Sequence, residues 1–165
     1  MTLKEYVLHQ LREIKREMLA AIRDLSPDDL TSHQPCGHWP IAWIVQHCCG
    51  NVDGFLHRHL AGIAFLEHDR RFYSRPMIEP RPGDDYPDLA TLIERWSTLM
   101  DAVVALFESM PSEKLQEQSE HAKEPLVQSC LRVINHTNVH LRNIWCILGE
   151  RRVDSKWAEQ QTWLA

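Results

Sequence analysis

Apolar residues recur at every third or fourth position through four separate stretches of this chain, and nowhere do they alternate as a half-buried strand requires. That period commits the chain to helices with one greasy face each, and such faces can only be buried against one another. The first stretch runs from about Leu3 to Asp24, with Leu3, Val7, Leu11, Ile14, Met18, Ile22 and Leu25 on one side. Ser26-Pro27-Asp28-Asp29 follows. A serine cap before a first-turn proline predicts a stop and a short new turn. The second stretch opens at Pro40 and extends to about Leu66, its inner stripe being Ile41, Ile44, Val45, Cys48, Val52, Phe55 and Ile63. The third covers about Asp88 to Met110, capped by Asp88, with Leu89, Leu92, Ile93, Trp96, Leu99, Val103 and Phe107 inward. The fourth covers about Leu126 to Gly149, where the glycine is the expected stop. A tail carrying Trp157 and Trp163 is expected to cover one end or to make a subunit contact.

Between the second and third stretches lie Pro76, Pro80, Pro82, Gly83 and Pro87. Proline removes a donor and clashes with the preceding turn, so residues 67–87 are read as a long connection. A structureless stretch of that length is rare inside a small domain. In a helical bundle it serves as a crossover that lets two sequential helices run in the same direction. The expected architecture is therefore an all-α four-helix bundle, one domain over residues 1–165, with a long crossover between helices 2 and 3. A polar connection from Pro111 to Pro125 joins the last two helices.

Composition closes off several classes. The 165 residues are 44% hydrophobic and 25% charged with a net charge of -5, and no block of Lys and Arg offers a footprint for a phosphate backbone. Nucleic acid is thus not an expected partner. The opening MTLKEYVLHQL lacks the apolar run of a signal peptide, and no segment has the roughly 18 apolar residues of a membrane span. A cytoplasmic protein without a membrane partner is expected. The five cysteines, Cys36, Cys48, Cys49, Cys130 and Cys146, form no C-x-x-C pair. They read as reduced thiols, mostly packed as small apolar side chains.

Ten histidines is the unusual figure. Among them, His136 and His140 stand four apart in Asn135-His136-Thr137-Asn138-Val139-His140, which stacks two imidazoles one turn apart on a helix face. Two such rings can reach a common ion, and the third ligand must come from another helix. His47 is the candidate. Against the fourth helix's apolar stripe, His140 lies about 80° and His136 about 120° to one side. On the second helix, His47 lies about 120° to that same side. All three thus border the buried face, where a neutral imidazole can bind a metal that solvent still reaches. The alternative for an H-x-x-x-H spacing is chance in a histidine-rich chain, with each ring hydrogen-bonded to backbone or water. That reading is preferred for His9, His33, His38, His68 and His121, while His57 and His59 diverge from His47 around the helix. Cys48 and Cys49 point about 100° and 200° away from His47 and are read as packing residues. Trp39, Trp43, Trp96 and Trp145 are read as core or mouth residues. Asn143, seven residues after His136, either lines the pocket or is solvated.

Two phrases carry a family resemblance. His38-Trp39-Pro40-Ile41-Ala42-Trp43-Ile44-Val45-Gln46-His47 resembles the tryptophan-to-histidine helix of the DinB/YfiT-like superfamily. Asn135-His136…His140-Leu141-Arg142-Asn143-Ile144-Trp145…Leu148-Gly149 resembles that superfamily's closing helix, with Asn143 where a glutamine is usual. The resemblance covers nearly the whole chain and implies a three-histidine site for one divalent ion (Zn, Ni or Fe) with open positions for water or substrate. It also implies a homodimer, a small-molecule substrate and use of a low-molecular-weight thiol in S-transferase-type chemistry. A metal-dependent hydrolase and a non-catalytic metal-binding bundle are the alternatives. Three neutral imidazoles leave coordination positions free, as reactive rather than structural sites do.

Overall fold

The computed structural model describes residues 1–32, 39–66, 80–81, 83–118 and 123–151. The readings made for His33, Cys36, His38, His68, Pro76, His121, Trp157 and Trp163 therefore lie outside the described residues.

Local chemistry starts and stops the helices where the sequence places the signals. Helix α1 (Leu3–Ile22) opens on a capping box in which Glu5 N–H donates to Thr2 Oγ1 and Thr2 N–H to the Glu5 carboxylate. The short α2 (Pro27–Thr31) repeats the device with Ser26 and Asp29, and Pro27 occupies its first turn. Helix α3 (Ile41–Val52) follows Pro40 and passes through a π-helical turn, Asp53–His57, into the four-residue α4 (Arg58–Ala61). Gly62, at φ +78°, then turns the chain in a left-handed conformation that a side chain would disfavour. Helix α5 (Leu89–Ser109) is capped by Asp88, whose carboxylate accepts from Thr91 N–H at 2.8 Å. After a 3₁₀ turn (Ser112–Gln116), helix α6 runs Leu126–Arg151.

Four long helices pack as a bundle in which α1 and α3 each touch both α5 and α6. The pairs α1/α3 and α5/α6 thus stand across the diagonals. Directions follow from side-chain ties. Lys4 at the start of α1 donates to the carbonyls of Glu108 and Met110 at the end of α5, and Trp96 Nε1–H donates to Lys15 O at 3.2 Å. Lys15 also pairs with Asp101, so α1 and α5 are antiparallel. Arg132 covers the Phe55 ring at 4.6 Å while Trp39 lies beside His140, so α3 and α6 are antiparallel too. Leu126 N–H donates to Glu117 O at 3.0 Å, which folds the chain back between α5 and α6. It follows that α3 and α5 run in the same direction, as a crossover connection requires. No strand occurs among the described residues.

The core joins Leu11, Ile14 and Met18 of α1, Ile44 and Val45 of α3, Trp96 and Phe107 of α5, and Cys130 and Ile144 of α6, all at most 1% exposed. Nearly every residue of α3 is buried, so this helix is the hydrophobic centre of the domain rather than a one-sided one. Three sequence expectations need correction. Leu3 is 43% exposed, because it sits in the first turn beyond the end of the core. Ile63 is 68% exposed, because the helix ends at Ala61 and not near Leu66, and Gly62 redirects the chain. Gly149 does not stop α6, which continues to Arg151; a glycine inside a helix costs only about 1 kcal/mol against alanine.

Candidate metal centre

Because α3 and α6 lie side by side and antiparallel, one turn of each faces the other where His47 meets His136 and His140. The i, i+4 spacing on α6 stacks two rings, with centroids 4.5 Å apart, and α3 supplies the third ring at 4.9 Å from His136 and 5.1 Å from His140. Their Nε2 atoms converge. His136 Nε2 lies 3.1 Å from His47 Nε2 and 3.2 Å from His140 Nε2. The three side chains form a group able to hold a metal ion.

The electrostatics keep the two α6 rings neutral. Burial pushes the His140 pKa down to about 3, reinforced by His136 and then His47. Burial likewise pushes His136 down to about 4, with His47 adding to the effect. His47 and His140 are 7% and 8% exposed, and His136 is half-buried. His47 and His140 are thus deeper than the margin positions expected from the helical wheels, while His136 keeps such a position. Three imidazoles whose ring nitrogens converge offer their lone pairs to one place, an arrangement that a shared cation would complete.

The spacing can be compared with what an ion needs. Zn–N bonds of about 2.0–2.1 Å place tetrahedral nitrogens about 3.3–3.4 Å apart, and nitrogens at right angles about 2.9 Å apart. The two separations to His136 fall between these limits, and all three ligand atoms lie within 4.8 Å of one another, so the donor set suits a first-row divalent ion. One feature departs from the usual design. His136 Nδ1 and His140 Nδ1 are buried with no hydrogen-bond partner among the described residues. Ligating histidines ordinarily donate that second N–H to an acceptor, which fixes the ring.

Packing takes over part of that duty. The Trp43 ring, 2% exposed, stacks on His47 with centroids 4.9 Å apart and planes 18° from parallel. Trp39 packs on Trp43 at 4.1 Å and lies over His140 at 6.3 Å and 25°. These two indoles wall the cluster with apolar surface. Trp43 and Trp96 are core residues, while Trp39 and Trp145 are half-buried.

The other candidates fall where the sequence put them. His57 is buried at a separate place, its Nδ1 3.2 Å from Ile63 O and 3.7 Å from the Asp53 carboxylate. His9 is exposed. Cys48 and Cys49 are fully buried, and burial raises the Cys49 thiol to about 12 and Cys48 well above its usual value. Neither belongs to the ligand group. Asn143 is half-buried and makes none of the contacts seen at the three rings among the described residues.

Sequence reasoning missed Asn51. Its Nδ2 lies 3.2 Å from His47 Nε2 and 3.0 Å from His47 O. The signal was available, because Asn51 follows His47 by four residues, the same spacing that pairs His136 with His140. No carboxylate joins the cluster among the described residues.

A family model described as the DinB superfamily matches residues 10–144, a span that includes all three histidines. No curated protein matches the chain.

Proposed function

The chain belongs to the DinB superfamily, and from that premise we propose that it is an enzyme holding one divalent ion on His47, His136 and His140. The activity we assign is transfer of a low-molecular-weight thiol to a small electrophile. The observation that carries this reading is the meeting of three imidazoles from two helices with no carboxylate among them in the described residues. Such a ligand set leaves the full charge of a dication uncompensated, so an anion is the favoured occupant of an open position.

When bound, the ion supplies acidification, since a coordinating thiol loses its proton and thereby becomes nucleophilic. The residues do the rest. The three Nε2 atoms would hold the ion, and Trp43 keeps the His47 ring stacked nearly parallel to its own. Trp39 and Trp43 present an apolar surface that strengthens charge interactions and suits a largely apolar electrophile. In the transfer, sulfur forms a bond to the electrophilic carbon, the leaving group departs with its electron pair, and the thiol proton passes to solvent. A general base is not needed for this chemistry, whereas hydrolysis usually recruits a carboxylate, which the described cluster lacks.

The test is turnover of a panel of small thiols against activated electrophiles, with metal-loaded protein, chelator-treated protein and His136→Ala. Metal-dependent product formation that His136→Ala abolishes is expected. About one equivalent of metal with no turnover across the panel would leave a binding module instead, and the transferase assignment would be withdrawn. Protein that takes up no zinc, nickel or iron sinks the metal reading itself.

A further inference from the structure

Among the described residues, Asn51 is a polar side chain in contact with the histidine cluster that the three-ligand description leaves without a task. It stands one turn after His47 on α3, half-buried, with Nδ2 3.0 Å from His47 O and 3.2 Å from His47 Nε2. Which end of an asparagine amide is nitrogen is ordinarily settled by its partners. Here the backbone carbonyl settles it, because a carbonyl oxygen only accepts and so must face the NH₂ group. That group has two hydrogens. One goes to His47 O, and the other is within reach of His47 Nε2.

An amide nitrogen cannot accept a hydrogen bond. Toward Asn51, His47 Nε2 can then only present its lone pair, which places the ring's proton on Nδ1 and makes His136 the donor in the 3.1 Å contact between His136 Nε2 and the same His47 atom. This is the tautomer that a metal needs. Asn51 thus holds His47 ready for ligation before any ion arrives. Once a cation takes the Nε2 lone pair, the second N–H of Asn51 loses its acceptor yet still projects toward the point where the imidazoles meet. An atom with spare lone pairs, bound next to His47, would satisfy it. With three neutral ligands and no carboxylate in the cluster, an anionic atom gains most from a neutral N–H donor at that place.

Resting on the metal reading above, we infer that Asn51 is a positioning residue that donates one N–H to an anionic ligand of the three-histidine centre, having first fixed the ligating tautomer of His47. This gives Asn51 a part in choosing what occupies the open position. It favours thiolate or another anion over a neutral donor such as an amine, whose own N–H groups would oppose it.

The probes are cobalt(II) as the metal and azide as a monodentate anion. Purified protein is loaded with cobalt, and azide is titrated while the visible ligand-field bands are followed. Asn51→Leu keeps the size of the side chain without its donor, and Asn51→Ala serves if the leucine variant folds poorly. The expected result is cobalt retained at about one equivalent, with azide bound about ten-fold or more weakly, the effect of one charge-assisted hydrogen bond. Azide affinity unchanged in the folded variants overturns the assignment. Loss of cobalt from both variants also overturns it, since Asn51 would then be a ligand or a determinant of the fold. A second measurement needs no metal. Long-range nitrogen–proton spectra of imidazole should show His47 protonated at Nδ1 in the metal-free protein and a mixture of tautomers in Asn51→Leu. Protonation of His47 at Nε2 in the unaltered protein refutes the inference. If the unaltered protein binds no cobalt, the metal reading fails alone, and the tautomer spectra still decide what Asn51 does to His47.

Discussion

Replacing His136 with alanine tests the centre most sharply, because its Nε2 is the one found within 3.2 Å of both other ring nitrogens. In the metal-free protein the change is mild. The ring is half-buried and its Nδ1 lacks a partner among the described residues, so lost packing is offset by the removal of an orphaned polar atom. A shift within about 1 kcal/mol is expected. With metal the change is large. Even groups behind the ligands cost about 10- to 100-fold in metal affinity when removed, so loss of a ligand costs about 100-fold at least. At free metal of about 1,000 times Kd, binding stabilises the unaltered protein by about 4.1 kcal/mol. In a chain of this size that is about 8–16 °C in Tm. The same concentration is about ten times Kd for His136→Ala, leaving about 1.4 kcal/mol, or about 3–6 °C. Scanning calorimetry of both proteins, with chelator and then with zinc, measures all four values. A variant that keeps the full zinc-induced shift would refute the placement of His136 in the centre, and no shift in the unaltered protein would refute the centre.

Three further outcomes are expected. In metal-free protein, the pKa values of His136 and His140, lowered to about 4 and about 3, mean that the unfolded chain takes up protons near pH 6.5 that the fold refuses. Stability is therefore complete above pH 6.5 and falls as the pH drops toward 4. With about 1.4 kcal/mol per pKa unit, halved for solvent screening at half-buried His136, about 4 kcal/mol should go between pH 7.5 and 4.5. Urea unfolding of the unaltered protein and the His136→Ala/His140→Ala double variant checks this; equal losses in both would contradict it. Asp53, fully buried, accepts from Phe65 N–H at 2.9 Å and Leu66 N–H at 3.0 Å. Asp53→Ala strands those donors and should cost about 3 kcal/mol in urea unfolding, whereas a loss below about 1 kcal/mol would show the carboxylate to be dispensable. Finally, an alkylating reagent should modify exposed Cys146 in the native protein and spare Cys48, Cys49 and Cys130, whose thiols burial holds neutral. Peptide mapping by mass spectrometry reads this directly, and native-state labelling of Cys48 or Cys49 would contradict the packing of α3.

Much of the fold was legible because its information is local. The period of Val7, Leu11, Ile14 and Met18 needs no partner to declare a helix face, and Ser26-Pro27 and Asp88 cap helices by bonds within one turn. Errors gathered where a local signal competes with the surroundings. Gly149 carries a stop signal too weak to end a helix that packing continues, and Ile63 belongs to the apolar pattern but lies past the turn that Gly62 enforces.

For the site, the sequence alone determined the rotational placement of His47, His136 and His140, since angle around a helix is a matter of counting residues. It could not determine the axial register that brings one turn of α3 level with one turn of α6, because that depends on how two faces from distant parts of the chain interdigitate. Only the tertiary structure decided that the Nε2 atoms meet, that burial on several sides drives the ring pKa values down, and that Trp43 stacks on His47. The same applies to Asp53, whose partners lie 12 and 13 residues away across a turn. Helical period is a property of one backbone; convergence, desolvation and ring stacking arise only between elements.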